Sequence, residues 1–119
     1  MDKQRNKEKV ENNFANRIKA LLKELIERNE VELFGNLEVE IVNMDTPALI
    51  KGNKIYVNIN AEKYPNYILK YILAHELAHL LVKRHTKKFW EIVKRIYPQY
   101  EKGKNELLRR SGTIYVHKK

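Results

Sequence analysis

Cysteine is absent from the 119 residues, so the chain can form neither a disulfide framework nor a thiolate metal site. Any metal ligands must come from His, Asp and Glu. No apolar run approaches the roughly 20 residues that span a bilayer, and Met1 to Glu11 is charged rather than apolar, so neither a membrane anchor nor a secretory leader is expected. These absences point to a soluble, cytoplasmic protein. Glycine (4) and proline (3) are scarce while a third of the residues are charged, a composition that suits a heat-adapted surface. The net charge of +9 raises the question of a nucleic-acid or acidic-lipid partner. The 24 Lys and Arg residues, however, are spread along the chain among 15 acids, so a solvated basic surface is expected and a nucleic-acid partner is disfavoured. The length allows one domain, residues 1–119, with a modest core.

The chemistry concentrates in His75-Glu76-Leu77-Ala78-His79, three polar residues set in an apolar run. On an α-helix, residues four apart lie about 40° from each other around the axis and about 6 Å along it, so His75 and His79 can chelate one ion. Glu76 projects from nearly the same face, where a carboxylate can take a proton from metal-bound water. Leaving such groups buried without a metal would forfeit several kcal/mol of hydration, on the order of the penalty for any uncompensated buried polar group.

Around this stretch the pattern predicts an α+β fold. Val10, Phe14, Ile18, Leu21, Leu22, Leu25 and Ile26 recur at helical spacing after a polar leader at 1–9, giving a backing helix that ends near Arg28 to Glu30. Gly35 breaks the next segment. Leu37, Val39 and Ile41 then alternate with polar residues, Ala48-Leu49-Ile50 follows a turn at Asp45 to Pro47, and Lys51-Gly52-Asn53 turns into Ile55 to Asn60. These runs predict a small, mostly antiparallel sheet of about three strands. Pro65 suits the first turn of a helix over about Asn66 to Lys83. Its Leu69, Leu73, Leu77 and Leu80 stripe should pack, and its Ile68, Ile72, His75, Glu76 and His79 stripe should face a cleft.

Catalytic zinc generally takes three protein ligands plus water. His85 is the leading third ligand, with Glu91, Glu101 and Glu106 as rivals. On a continuous helix His85 would sit about 240° beyond His79 and point away. The helix must therefore stop near Lys83 or Arg84, with Thr86 capping a new helix whose inner face holds Phe89, Trp90, Val93, Ile96 and Tyr97. Beyond Pro98 the chain turns polar, then Glu106 to Arg110 suggests a short helix stopped near Gly112. An apolar Ile114-Tyr115-Val116 patch and His117 follow.

The run from His75 through His85-Thr-Lys-Lys-Phe-Trp90, with Tyr97-Pro98-Gln99-Tyr100 and Leu107 to Arg110 after it, resembles the minigluzincin family of small soluble zinc metallopeptidases, of the projannalysin and proabylysin type. It is similar also to YgjP-like metal-dependent hydrolases and, more distantly, to catalytic domains of membrane gluzincins. The similarity covers residues 55 to about 110. It implies a zincin-like fold with C-terminal helices, a Zn2+ ion held by His75, His79 and His85, and Glu76 as general base and acid. A peptide or protein would be the substrate, and the strand at Ile55 to Ile59 would bind it as a cleft rim by main-chain pairing. It also implies a zymogen whose residues 103–119 block the cleft, within one chain or by exchange in a homodimer. The YgjP-like similarity supplies the alternative of a nucleotide or other non-peptide substrate. A basic nucleic-acid-binding module with a structural metal is a third class. Tyr56, Tyr71, Tyr97, Tyr100 and Tyr115 are the tyrosines available to stabilise an oxyanion.

Overall fold

Phe14, Ile18, Leu21, Leu22 and Leu25 all lie buried on one face of the first helix, α1 (Lys3–Asn29), as their three- and four-residue spacing predicts. A computed structural model of the chain describes residues 3–29 and 37–111, with side chains from 8 to 27 and from 37 to 111. The helix begins well before the expected end of the polar leader. Lys, Gln, Arg and Glu over 3–9 are good helix formers, and extending an existing helix needs no new nucleus. Val10, placed by its spacing on the buried stripe, is instead exposed. The break expected at Gly35, the stop at Gly112 and the Ile114 to His117 patch lie outside the described residues.

Strands β1 (Glu38–Val42), β2 (Ala48–Lys51) and β3 (Lys54–Asn58) form one sheet in the order β1-β3-β2. β2 and β3 make the expected hairpin, with Ala48 opposite Val57 and Lys51 opposite Lys54, closed at Gly52, whose φ of 62° favours a residue without a Cβ. β1, however, runs parallel to β3, from Glu38 opposite Lys54 to Val42 opposite Asn58. The sheet is thus mixed rather than mostly antiparallel, because the chain carries β1 across to the far side of β3. β3 is central and both its edges are paired, so the strand expected to offer a free edge to substrate has none.

Asn58 ends β3 two residues before the expected stop. Its side-chain oxygen accepts from the Asn60 N–H at 2.9 Å, and its amide donates to the carbonyls of Met44 and Thr46 at 2.8 and 3.2 Å. A single 3₁₀ turn, Ile59–Lys63, then delivers the chain to α2 (Asn66–His79). Arg17 of α1 fixes that entry by donating to the Glu62 and Tyr64 carbonyls and to Asn66 Oδ1. α2 is buried on almost all sides, from Ile68 through Ala78 except Lys70, and packs against α1, β2, α3 (Lys87–Ile96) and α4 (Tyr100–Ser111). Such all-round burial explains how an apolar helix can carry its polar residues inward.

Residues 103–111, the first part of the segment expected to cover the cleft, belong to α4. Gly103 lies so close to α2 that an added Cβ would fall 2.6 Å from the Tyr67 carbonyl oxygen, and Leu107 is buried in the same interface. Among the described residues no helix is long and apolar enough to cross a membrane.

Candidate metal centre

His75, with no exposed surface, and Glu76, 2% exposed, sit in the last two turns of α2, where tight packing leaves them few rotamers. His79 is the final residue of that helix and is half-buried. The helix stops there, four residues before the expected end at Lys83. Leu80 and Leu81 donate to Leu77 and Ala78, three residues back, so the last turn tightens and unwinds. Leu80 is exposed as a result and leaves the packed stripe to which its spacing assigned it.

The early stop gives residues 80–86 the freedom to turn back. Thr86 caps α3 as expected, its Oγ1 accepting from the Phe89 N–H at 3.4 Å, and its own N–H donates to the Arg84 carbonyl at 2.8 Å. Between these fixed points His85 is swung onto the two helical imidazoles. Its Nε2 lies 3.1 Å from His79 Nε2 and 3.2 Å from His75 Nε2. His75, His79 and His85 form a group able to offer three nitrogens to one ion, all within 4.8 Å of one another.

The rival ligands are elsewhere. Glu91 and Glu101 are exposed, and Glu106 is ion-paired with Arg109 and Arg110 on α4. Those two guanidinium groups, by hydrogen bond first and by charge second, hold the Glu106 carboxyl down at about 2.

The arrangement suits a cation better than it suits hydrogen bonds among the rings. An imidazole Nε2 carries either one proton or one lone pair. His85 Nε2 therefore cannot make good hydrogen bonds to both neighbours, although it lies within hydrogen-bond distance of both. One cation accepting three lone pairs satisfies all three at once. Ligands at 2.0–2.1 Å from a tetrahedral zinc are separated by about 3.3 Å, close to the two spacings found here. The donors are all neutral nitrogens, which suits zinc, copper, iron or nickel and not magnesium or calcium.

Three further residues shape the site. Phe89, fully buried, lies beneath the whole cluster, with ring centroids 5.2, 4.6 and 4.8 Å from those of His75, His79 and His85. Its helical spacing marked it as an inward residue, but nothing in that spacing told that it would touch all three imidazoles. Trp90 stands 6.0 Å from His75 and 6.1 Å from His85, and stacks on Tyr100 at 5.7 Å. Tyr71, one turn before His75, meets that ring edge-on at 5.9 Å. Burial raises the Tyr71 phenol far above its usual range, with the Glu76 and Tyr100 charges adding to it, so this hydroxyl keeps its proton.

Glu76 Oε2 lies 3.3 Å from His75 Nδ1, the ring nitrogen opposite the one that faces the cluster. A proton on Nδ1 donated to this carboxylate leaves Nε2 as the free lone pair, the tautomer that a metal ligand needs.

Residues 1–110 match the model of the family described as YgjP-like, metallopeptidase domain. No curated protein matches the sequence. Among solved structures, the chain is similar to the metallopeptidase zymogen of Pyrococcus abyssi abylysin, with a TM-score of 0.71 at 20% identity over 83% of this chain and 99% of that one. The metallopeptidase zymogen of Methanocaldococcus jannaschii jannalysin gives 0.66 at 19% identity over 79% and 96%. At these identities the likeness is one of fold, and it agrees with the α+β architecture described above.

Proposed function

This chain belongs to the YgjP-like metallopeptidase-domain family, and from that membership and the three converging imidazoles we propose that it is a zinc-dependent peptidase with His75, His79 and His85 as ligands and Glu76 as general base. The observation that carries the proposal is His85 Nε2 poised between two other Nε2 atoms at 3.1 and 3.2 Å. A zinc ion so held lowers the pKa of a coordinated water and polarises a carbonyl.

The remaining work falls to the chain's own residues. The Glu76 carboxylate is nearly fully buried beside the imidazoles and is the base the site offers. Turning from His75 Nδ1 toward the face where the imidazoles converge, it takes a proton from water and later delivers it to the leaving amine. Phe89 keeps the three rings in place and Trp90 limits access of bulk water on its side. Main-chain pairing with an extended peptide is assigned to β2, an outer strand of the order β1-β3-β2 that packs against α2, in place of the central β3.

A metallopeptidase family supports a peptide rather than a nucleotide as substrate. Latency is proposed on the likeness to two zymogens, with residues 103–119 as the covering segment, acting within one chain or by exchange between two.

Metal analysis joined to a peptide-library cleavage assay tests the function. Wild type cut after Ser111 carries one zinc per chain and cleaves; Glu76→Gln in the same form carries the same zinc and does not. Cleavage by Glu76→Gln at the wild-type rate excludes this base, and release of phosphate from nucleotides with every peptide left intact transfers the chain to the non-peptide hydrolases.

A further inference from the structure

The net charge is not spread along the chain. Residues 81–119 hold 12 of the 24 basic residues and only 3 of the 15 acids, a net +9, whereas residues 1–80 balance 12 against 12. The whole excess therefore falls in the part of the chain that starts at the end of the metal-site helix.

Several of these cations flank His85 along the chain. Lys83 and Arg84 immediately precede His85, and Lys87 and Lys88 follow it within three residues. All four are exposed, and among the described residues none is within ion-pair distance of a carboxylate, Glu91 one turn further on included. Lys104 Nζ lies 4.2 Å from the Trp90 ring centroid, itself 6.1 Å from that of His85, which puts this ammonium within about 10 Å of a metal-site ring. Helix stability does not account for the placement. Lys87 and Lys88 occupy the first turn of α3, where the helix dipole favours acids and where no acid is found.

We propose that these cations select acidic polypeptide segments as substrates, a specificity that rests on the peptidase function proposed above. Nucleic acid is the poorer occupant because the aromatic faces beside the cations are already covered. Trp90 is stacked by Tyr100 and capped by Lys104, and Tyr67 is capped by Lys102 at 4.8 Å, so the stacking platforms that single-stranded nucleic acid uses are taken. One carboxylate about 8 Å from one cation gains about twofold in binding at 10 mM salt, and four cations compound to about fifteenfold. Screening at physiological ionic strength reduces this to about fourfold.

The test uses zinc-loaded Glu76→Gln, both full-length and cut after Ser111, and two labelled peptides with the same centre, flanked by three glutamates or by three lysines, with binding read by fluorescence anisotropy. The acidic peptide, which sets three carboxylates against three repelled ammonium groups, binds at least about fifteenfold more tightly at 10 mM salt and at least about fourfold at 150 mM. Adding Lys87→Glu and Lys88→Glu cancels Lys83 and Arg84 and abolishes the preference; these exposed changes place acids at a helix start and do not threaten folding. Equal binding of the two peptides, binding of neither by either form, or a preference that survives the reversal overturns the proposal. So does a single-stranded oligonucleotide of matched charge binding more tightly than the acidic peptide. A wild-type enzyme that cleaves neither peptide, full-length or cut after Ser111, while the binding preference persists leaves the charge selection standing and removes the peptidase function instead.

Discussion

Replacing Gly103 by alanine sets two opposed effects against each other. In an isolated helix the change is favourable by about 1 kcal/mol, because glycine is the more flexible residue in the unfolded chain. Here the new Cβ would lie 2.6 Å from the Tyr67 carbonyl oxygen and 2.8 Å from Tyr71 Cβ, with Ile68 Cα at 3.4 Å. Two of the nearest three atoms are backbone of α2 and cannot swing aside. α4 must retreat by about 0.8 Å to restore ordinary contact, and a gap of that size forfeits a quarter to a half of the dispersion energy across the interface. Overpacking costs about 1–3 kcal/mol in general, and here, against backbone that cannot yield, about 2–3 kcal/mol. The balance is a loss of about 1–2 kcal/mol, or roughly 3–10 °C in melting temperature for a domain of this size. Thermal unfolding followed by circular dichroism measures it. A variant that melts at or above the wild-type temperature refutes the close seating of α4 on α2.

Other perturbations separate the parts of the site. Phe89→Ala removes a fully buried ring from beneath the cluster and should cost about 3–5 kcal/mol in stability, and zinc titration of the variant at low temperature should show weaker binding; unchanged affinity would mean that Phe89 does not hold the imidazoles. Glu106 has its carboxyl depressed by Arg109 and Arg110, so its contribution to stability is complete above the ordinary carboxylate range of about 4.5 and is lost as pH falls toward about 2. The stability difference between wild type and Glu106→Gln, measured by denaturant melts, should accordingly be constant above that range and shrink below it; a difference that grows on acidification contradicts the pairing. Cutting the chain after Ser111 keeps buried Leu107 and all of α4, and should raise peptide hydrolysis if residues 112–119 cover the cleft. Unchanged hydrolysis by a folded truncation denies that residues 112–119 hold the enzyme latent.

What sequence alone revealed here was the local chemistry. His75, Glu76 and His79 announce themselves by a spacing that only a helix turns into a cluster. The need to bring His85 round from about 240° away forced a helix end and a new cap at Thr86, and both are present. The exact stop at His79 was hidden because Leu80 to Val82 is as apolar as the helix before it. The parallel pairing of β1 with β3 was illegible for a different reason: turn residues report which strands are joined by hairpins, not the side on which a third strand docks. Gly103 masked the first turns of α4, since a glycine reads as a break unless the close approach that requires it is known. The segregation of charge was visible all along, but only in a count taken by segment rather than over the whole chain.

Zinc titration of the metal-free full-length protein, beside His85→Ala and Glu106→Ala, tests the centre most directly. The geometry predicts one zinc per wild-type chain, the same for Glu106→Ala, and an affinity at least about 100-fold weaker for His85→Ala, which leaves only the two helical nitrogens. Wild-type affinity in His85→Ala would contradict the three-histidine site.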